Sequence, residues 1–246
     1  KFFPVAYWRK IMKNLLSLYF TRILKSKYFY IMAIIVLAFP VISASLLGDE
    51  GDVSATFTMA LVFMPMIIAA FTGLFVDPEF THNTIRNSMI KGYKRQQVYI
   101  SFFIPVATVS VLFMVLYAIS TFAVSAVTDG IENISAKATI TVILVSIILM
   151  ITSSALSLLI CMVIHGAKCL VLVILFQYTF MFLSILNQPS SNEVSILARF
   201  IPQSIYGTLN FYQMPDKPLL TVLCTLLLCL AVNALSIYHF KDIDLP

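Results

Sequence analysis

Six stretches of the chain are almost continuously apolar and contain no Asp, Glu, Lys or Arg. They cover residues 28–47, 53–76, 98–127, 138–164, 170–186 and 219–238. A helix needs about 20 apolar residues to cross the hydrocarbon core of a bilayer, whereas the strands of a membrane barrel alternate apolar and polar positions. The pattern therefore predicts an all-α membrane protein, with six transmembrane helices in a single domain over residues 28–246.

The segment before the first span is amphipathic. We expect residues 1–27 to form a helix in the cytoplasmic interface of the membrane, anchored by Arg22, Lys25 and Lys27. The sequence from Met12 onwards resembles a bacterial translation start, so one hypothesis is that residues 1–11 are upstream, non-native sequence. The apolar stripe that predicts this helix consists of Phe3, Tyr7, Ile11, Leu15, Leu18 and Tyr19.

Charged residues are few, and most of the basic ones fall on one side of the predicted spans. Of the 246 residues, 60% are hydrophobic and 11% are charged, which excludes a soluble globular domain. Threading the spans in order places thirteen of the sixteen Lys and Arg residues on one side. Because cytoplasmic loops retain positive charge, both termini are predicted to be cytoplasmic. The net charge of +5 then reflects contact with anionic lipids and requires no nucleic-acid partner.

Motifs for catalysis, nucleotide binding and metal binding are missing from the sequence. It contains no G-x-x-x-x-G-K-[ST] loop, no G-x-S-x-G or H-E-x-x-H motif, and no paired cysteines at zinc spacing. The spans also lack the ionisable group that a proton-coupled carrier needs. We therefore expect neither an enzyme nor a bound cofactor on this chain. The four cysteines are interpreted as packing thiols: Cys161, Cys169, Cys224 and Cys229.

The connection between the second and third spans carries signals for a short helix with both ends capped. Asp77 is a candidate N-cap, and Pro78 suits the first helical position. Glu79 complements the positive helix start, and Gly92 can adopt the left-handed C-terminal cap. Two interpretations remain open, a solvated connector and a docking helix. In the second, the residues that face a partner are Asn83, Arg86 and Asn87.

A longer outer connection, residues 187–218, separates the last two spans. It turns from polar to amphipathic before Arg199, and Pro202 interrupts the amphipathic part. A structureless loop of this length is uncommon in a compact protein. We predict two short re-entrant helices in the outer leaflet, with a plain extracellular loop as the alternative.

Within the spans, small residues and three prolines predict details of helix packing. The pairs Ala69/Gly73 and Ser153/Ser157 favour close helix approach. Pro40, Pro65 and Pro105 are expected to kink the first, second and third spans. An adaptable apolar passage is a further hypothesis, although lipid-facing packing explains its aromatic residues equally well. The candidates for lining that passage are Phe63, Phe71, Gln177 and Tyr178.

The connection after the second span resembles one known family. The region after the second helix of ABC-2 type permeases, the membrane subunits of type V ABC exporters, is similar to Glu79-Phe80, Asn83-Thr84-Ile85-Arg86-Asn87, Gly92, Arg95 and Val98-Tyr99. Topology extends the resemblance over nearly the whole chain. Two positions depart from the family pattern: Asn83 stands where the family usually has glycine, and an apolar run around Phe102 replaces a lysine.

The resemblance implies a permease subunit of an ATP-driven exporter in a bacterial cell membrane. The capped segment would be a coupling helix that sits in a groove of a separate ATPase subunit, which binds ATP and Mg²⁺. A second permease subunit would complete a homodimer or heterodimer, and the cargo would be an amphipathic or apolar peptide such as a phenol-soluble modulin or a lantibiotic. The residues implied in coupling are Asp77, Glu79, Asn83, Thr84, Ile85, Arg86, Asn87 and Gly92.

Two other functions remain open from the residues alone. A substrate-binding membrane subunit of a vitamin importer also lacks an ATP motif, but its ligand pocket needs polar anchors that these spans supply sparsely. A membrane scaffold or sensor that transports nothing is the second alternative.

Overall fold

The computed structural model describes residues 5–47, 52–82, 84–127, 134–164, 168–186 and 217–242, together with Ile205, Leu209, Phe211 and Tyr212. All the regular structure in these ranges is helical. The helices are α1 (Val5–Lys25), α2 (Lys27–Leu47), α3 (Val53–Leu61), α4 (Met64–Thr81), α5 (Thr84–Ile90), α6 (Arg95–Val127), α7 (Ala136–Val163), α8 (Lys168–Leu186) and α9 (Pro218–Asp242).

Five segments of the described chain are long and apolar enough to cross a membrane. They are α2, α3 with α4, α6, α7 and α9, and each exceeds the length that a bilayer requires. The apolar part of α8, Lys168–Leu183, is shorter. The predicted all-α architecture is thereby confirmed for the described residues. The five long apolar helices are compatible with a helical membrane protein, whereas the sixth span stays a prediction.

The second predicted span is two helices rather than one. Helix α3 ends at Leu61 and α4 begins at Met64, with a turn at Val62 and Phe63 between them. Pro65 has no N–H to continue the helical ladder, and the Met66 N–H instead donates to the Phe63 carbonyl at 3.0 Å. A two-residue turn thus interrupts the helix directly before the region where a kink at Pro65 was expected.

Helix α7 lies at the centre of the bundle and packs against α4, α6, α8 and α9. Its small polar residues, including Ser153 and Ser157, are fully buried, which allows the close helix approach that the sequence predicts. Gly73 of α4 similarly faces α8: a Cβ atom there would lie 3.0 Å from Leu170 Cδ1 and 3.2 Å from its Cα. Close packing through small residues thus holds the centre together.

A short part of the outer connection packs into the bundle between α3, α6 and α7. The Phe211 ring lies 4.8 Å from that of Phe57 and 5.4 Å from that of Phe122, measured between centroids. The Phe211 N–H donates to Ser54 Oγ at 3.3 Å, and its carbonyl accepts from the Ser135 N–H at 3.3 Å. The predicted re-entrant helices, with Arg199 and Pro202, lie outside the described residues.

Candidate functional site at the polar end of the helix bundle

Helix α5 ends in a Schellman motif built on Gly92. The φ angle of Gly92 is +90°, and its N–H donates to the Met89 carbonyl at 2.9 Å. The next N–H, from Tyr93, donates to the Ser88 carbonyl at 3.3 Å. Glycine adopts this left-handed conformation at little cost, and the two bonds satisfy carbonyls that the helix end leaves unpaired. The predicted left-handed cap at Gly92 is therefore confirmed.

The predicted start of this helix is wrong. Asp77 and Pro78 lie inside α4, which continues to Thr81, so that Asp77 is not an N-cap. A proline in a helix interior costs about 3 kcal/mol. The last turns of α4 remain helical because their inner face is packed in the core, where Phe75 and Val76 are buried. Tertiary packing here outweighs a local stop signal.

One side of α5 is buried, and the other side projects from the bundle. Ile85 is 1% exposed and packs into the main core. Arg86 and Asn87 are exposed, and Ile90 is 74% exposed at the last turn. A short helix that is buried on one side and capped at its end is thereby held in place while it presents a basic, an amide and an apolar side chain outward.

An ion pair connects α1 to the end of α4 beside this helix. Arg22 Nη1 donates to Glu79 Oε1 in a charge-assisted hydrogen bond. The Glu79 side chain is 7% exposed, whereas that of Arg22 is 40% exposed. A carboxylate with so little access to water requires a cation close by, since an unpaired buried charge is strongly destabilising. Arg22 therefore stabilises both the charge of Glu79 and the position of α1.

Tyr19 lies next to this ion pair and is fully buried. Its ring centroid is 4.3 Å from that of Phe102 and 5.8 Å from Arg22 Cζ, which lies over the ring. Burial raises the pKa of the Tyr19 hydroxyl well above its ordinary value, and the Glu79 carboxylate raises it further. Among the described residues, neither the Tyr19 hydroxyl nor Glu79 Oε2 has a hydrogen-bond partner.

A second set of contacts joins the start of α6 to the end of α9. Arg95 Nη1 donates to the Phe240 carbonyl at 3.2 Å, and the Tyr99 hydroxyl donates to Asn233 Oδ1 at 2.8 Å. Gln97 Oε1 accepts from the Lys94 N–H at 2.8 Å and so caps the first turn of α6. Both helices that flank α5 in the chain, α4 and α6, are thus tied to other helices at this end.

The described cysteines and Asp77 do not form a metal centre. All four cysteines are free and buried, as the sequence predicts for packing thiols. Asp77 is half-buried, and its Oδ1 has no hydrogen-bond partner among the described residues. No group of three or more His, Cys, Asp or Glu in the described ranges is arranged to hold a metal ion.

The four candidate pathway residues lie in two kinds of environment. Phe71 is buried and stacks on Phe75, with ring centroids 6.0 Å apart. Gln177 is also buried, and its Nε2 donates to Ser157 Oγ at 3.2 Å, so that it faces protein as expected for an amide within a span. Phe63 and Tyr178 are exposed on the outside of the described bundle. A passage lined by these residues stays a prediction.

Three of the remaining candidate residues from the sequence lie at helix ends. Lys25 and Lys27 are exposed around the junction of α1 and α2, as an interfacial anchor requires. Thr84 is half-buried at the start of α5, and Asn83 lies outside the described residues. The pairing of Arg22 with Glu79 was not foreseen, because 57 positions separate the two residues. The available signal was Glu79 itself, an acid on the side of the predicted spans where most Lys and Arg residues lie.

Comparison of the sequence with protein-family models finds no match, and a search of curated proteins finds none either.

Proposed function

We propose that this chain is the transmembrane permease subunit of an ATP-driven exporter of the ABC-2 type. Two such subunits, identical or homologous, form the pathway, and separate ATPase subunits bind ATP and Mg²⁺. The observation that carries the proposal is α5, a capped helix that projects from one end of a bundle of membrane-length helices. In an ATP-driven transporter, a membrane chain without its own ATP-binding motif needs a contact of this kind with a separate ATPase.

The connections of α5 suit the transmission of a push from such a motor. Helix α5 packs on α4 and α6, and its own residue Ile85 is buried in the core. The Arg22–Glu79 ion pair ties the adjacent end of α4 to α1. A displacement of α5 would therefore reach three helices through packed side chains and one charge pair, without any slack segment longer than a few residues.

The exposed side chains of α5 also specify the chemistry of the partner. Ile90 is a single apolar side chain at the tip, and Arg86 and Lys91 are exposed near it. An apolar anchor with basic neighbours fits a groove that has an apolar floor and an acidic rim. The groove of the proposed ATPase subunit should carry these features.

Orientation and cargo follow from the charges of the chain. With thirteen of sixteen basic residues on the side of α5, this end is cytoplasmic, and both termini lie on the same side of the cell membrane. The six predicted spans carry no Asp, Glu, Lys or Arg, which suits an apolar or amphipathic cargo better than an ion. Toxin or antimicrobial peptides of this character are the proposed substrates.

The test is reconstitution of the chain in lipid nanodiscs with the ABC ATPase subunit encoded beside it. We expect the two proteins to purify together and ATP hydrolysis to rise above that of the ATPase alone. Arg86→Glu should weaken both association and stimulation by about tenfold, since it places an acid against the acidic rim of the groove.

The matched control is Lys137→Glu, the same reversal of charge at an exposed position at the other end of the bundle. It should leave association and stimulation unchanged. The proposal fails if the ATPase does not associate with the wild-type chain, or if Arg86→Glu and Lys137→Glu behave alike.

A further inference from the structure

A shallow, open groove of about 580 Å³ lies along one side of α1 and ends at Ser26, the residue before α2. Arg22 and Lys25 supply its positive charge, and the exposed apolar side chain of Leu18 forms part of its wall. The core-facing residues of α1, such as Tyr19 and Ile23, are buried and do not line it. The other lining residues are polar: Asn14, Ser17, Thr21 and Ser26.

The donors in this groove fit a phosphodiester. A guanidinium has five N–H donors in a planar fork, and Arg22 uses only part of this fork on Glu79. The Lys25 ammonium adds three donors, and among the described residues no carboxylate forms an ion pair with it. Among the described residues, the acid that pairs with this part of α1 is Glu79, and Arg22 neutralises it. Lys25 therefore leaves the groove with a net positive charge.

The position of the groove favours a phospholipid over a free anion. It ends at Ser26, directly before α2, and α2 is a membrane-length helix that is only 17% buried. The Tyr30 hydroxyl of α2 donates to the Leu24 carbonyl at 2.9 Å, so that the first turn of α2 lies beside the end of α1. Ile31 and Ile34 are exposed in the following turns of α2. An apolar surface that acyl chains can follow therefore begins within two turns of Ser26 along the chain.

We infer that this groove is a headgroup site for one anionic glycerophospholipid, with the phosphate held by Lys25 and Arg22 and the acyl chains lying along α2. The inference needs only that α1 and α2 lie in a membrane, so it does not depend on the exporter function. The lipid phosphate and Glu79 both bind the guanidinium of Arg22. The lipid therefore acts on the ion pair that ties α1 to α4.

The test is native mass spectrometry of the detergent-solubilised protein, titrated with phosphatidylglycerol or with phosphatidylcholine of the same acyl chains. We expect one phosphatidylglycerol to be retained per chain and phosphatidylcholine to bind more weakly. Lys25→Gln should lower the affinity for phosphatidylglycerol about fivefold, the usual contribution of one basic residue near an anionic lipid surface. Lys25→Arg, which keeps the charge, should retain the lipid.

Lys13→Gln is the matched control, because Lys13 is exposed on the same helix but does not line the groove. Equal losses in Lys13→Gln and Lys25→Gln would indicate diffuse attraction and overturn the inference. It is overturned as well if both lipids bind equally, if inorganic phosphate displaces the lipid, or if Lys25→Gln instead dissociates a dimer of the chain. The comparison of the two lipids on the wild-type protein decides the matter even if a variant fails to fold.

Discussion

Arg22 on α1 and Glu79 on α4 form a charge-assisted hydrogen bond across 57 residues of sequence, with the carboxylate almost entirely removed from water. The two side chains differ in exposure, and this difference decides which of them can be removed at the smaller cost in stability. Removal of Glu79 leaves a cation that can still reach solvent. Removal of Arg22 leaves a buried carboxylate with no compensating charge among the described residues.

Arg22→Gln is therefore expected to destabilise the protein more than Glu79→Gln. Loss of one partner of a buried pair costs about 3–5 kcal/mol, and partial exposure of Arg22 reduces this to roughly 2–3 kcal/mol. Glu79→Gln should cost about 1 kcal/mol or less. The measurement is thermal unfolding of both variants and of the double variant in the same detergent.

The two single variants and the double variant form a double-mutant cycle. In this cycle the double variant should be more stable than Arg22→Gln alone, because it lacks the unpaired carboxylate. Strictly additive losses would show that the two side chains do not interact in the folded protein.

Tyr19→Phe should leave stability unchanged at neutral pH or raise it by about 1 kcal/mol. The buried hydroxyl has no hydrogen-bond partner among the described residues, so its removal takes away an unsatisfied polar group. Thermal unfolding at pH 7 measures this effect. A loss of stability comparable to that of Arg22→Gln would mean that the hydroxyl makes an essential bond.

The same tyrosine should make the fold sensitive to alkali. The pKa of Tyr19 is raised in the folded state by burial and by Glu79, relative to about 10 in the unfolded chain. The folded state therefore binds the phenolic proton more tightly, and stability is lost as the pH rises above about 10. Unfolding followed from pH 8 to pH 11, about the range around the ordinary tyrosine pKa, should show a smaller loss in Tyr19→Phe.

Gly92→Ala should loosen the end of α5 without any steric clash. A Cβ at this position meets no atom within 4 Å, but the φ angle of +90° is strained for an L-residue, at a cost of about 1–2 kcal/mol. Hydrogen exchange of the amides in α5 is expected to speed up, and Gly92→Asn should be milder because asparagine tolerates this region. Identical exchange in all three proteins would contradict a cap that depends on glycine.

Gly73→Ala tests a different property of glycine, the close approach of α4 to α8. The added Cβ would lie 3.2 Å from the Leu170 backbone, which has no flexible end that can move aside. Overpacking of this kind costs about 1–3 kcal/mol. Thermal unfolding should show the loss, and Gly73→Ala combined with Leu170→Ala should not recover it fully, because the backbone contact remains.

Much of the fold follows from the sequence pattern, and the failures have a common cause. The apolar runs correspond to helices, and the Gly92 cap is correct, because hydropathy and left-handed backbone preference are properties of a few adjacent residues. Asp77 and Pro78 form a good local start signal as well. It fails because the burial of Phe75 and Val76 on the inner face keeps α4 helical past the proline.

The candidate site likewise has some features that follow from the sequence and others that depend on how the helices pack. Arg86 and Asn87, which one interpretation of the sequence turns towards a partner, are exposed on α5. Their contact with a partner stays a prediction. Their support was not predicted, because the burial of Ile85 and the neighbouring contacts of Tyr19 depend on how separate helices meet. The break between α3 and α4 is intermediate: Pro65 indicates a kink, and only packing determines that the helix stops.

By itself the sequence determined the apolar character of the long segments, their helical form and the distribution of the charges along the chain. These follow from the cost of exposing backbone amides or charges to hydrocarbon, which each segment meets on its own. The tertiary structure decided which charges pair, which polar groups are buried and which face of α5 projects. Such contacts join residues far apart in the chain, and their free energies exist only once the helices are packed together.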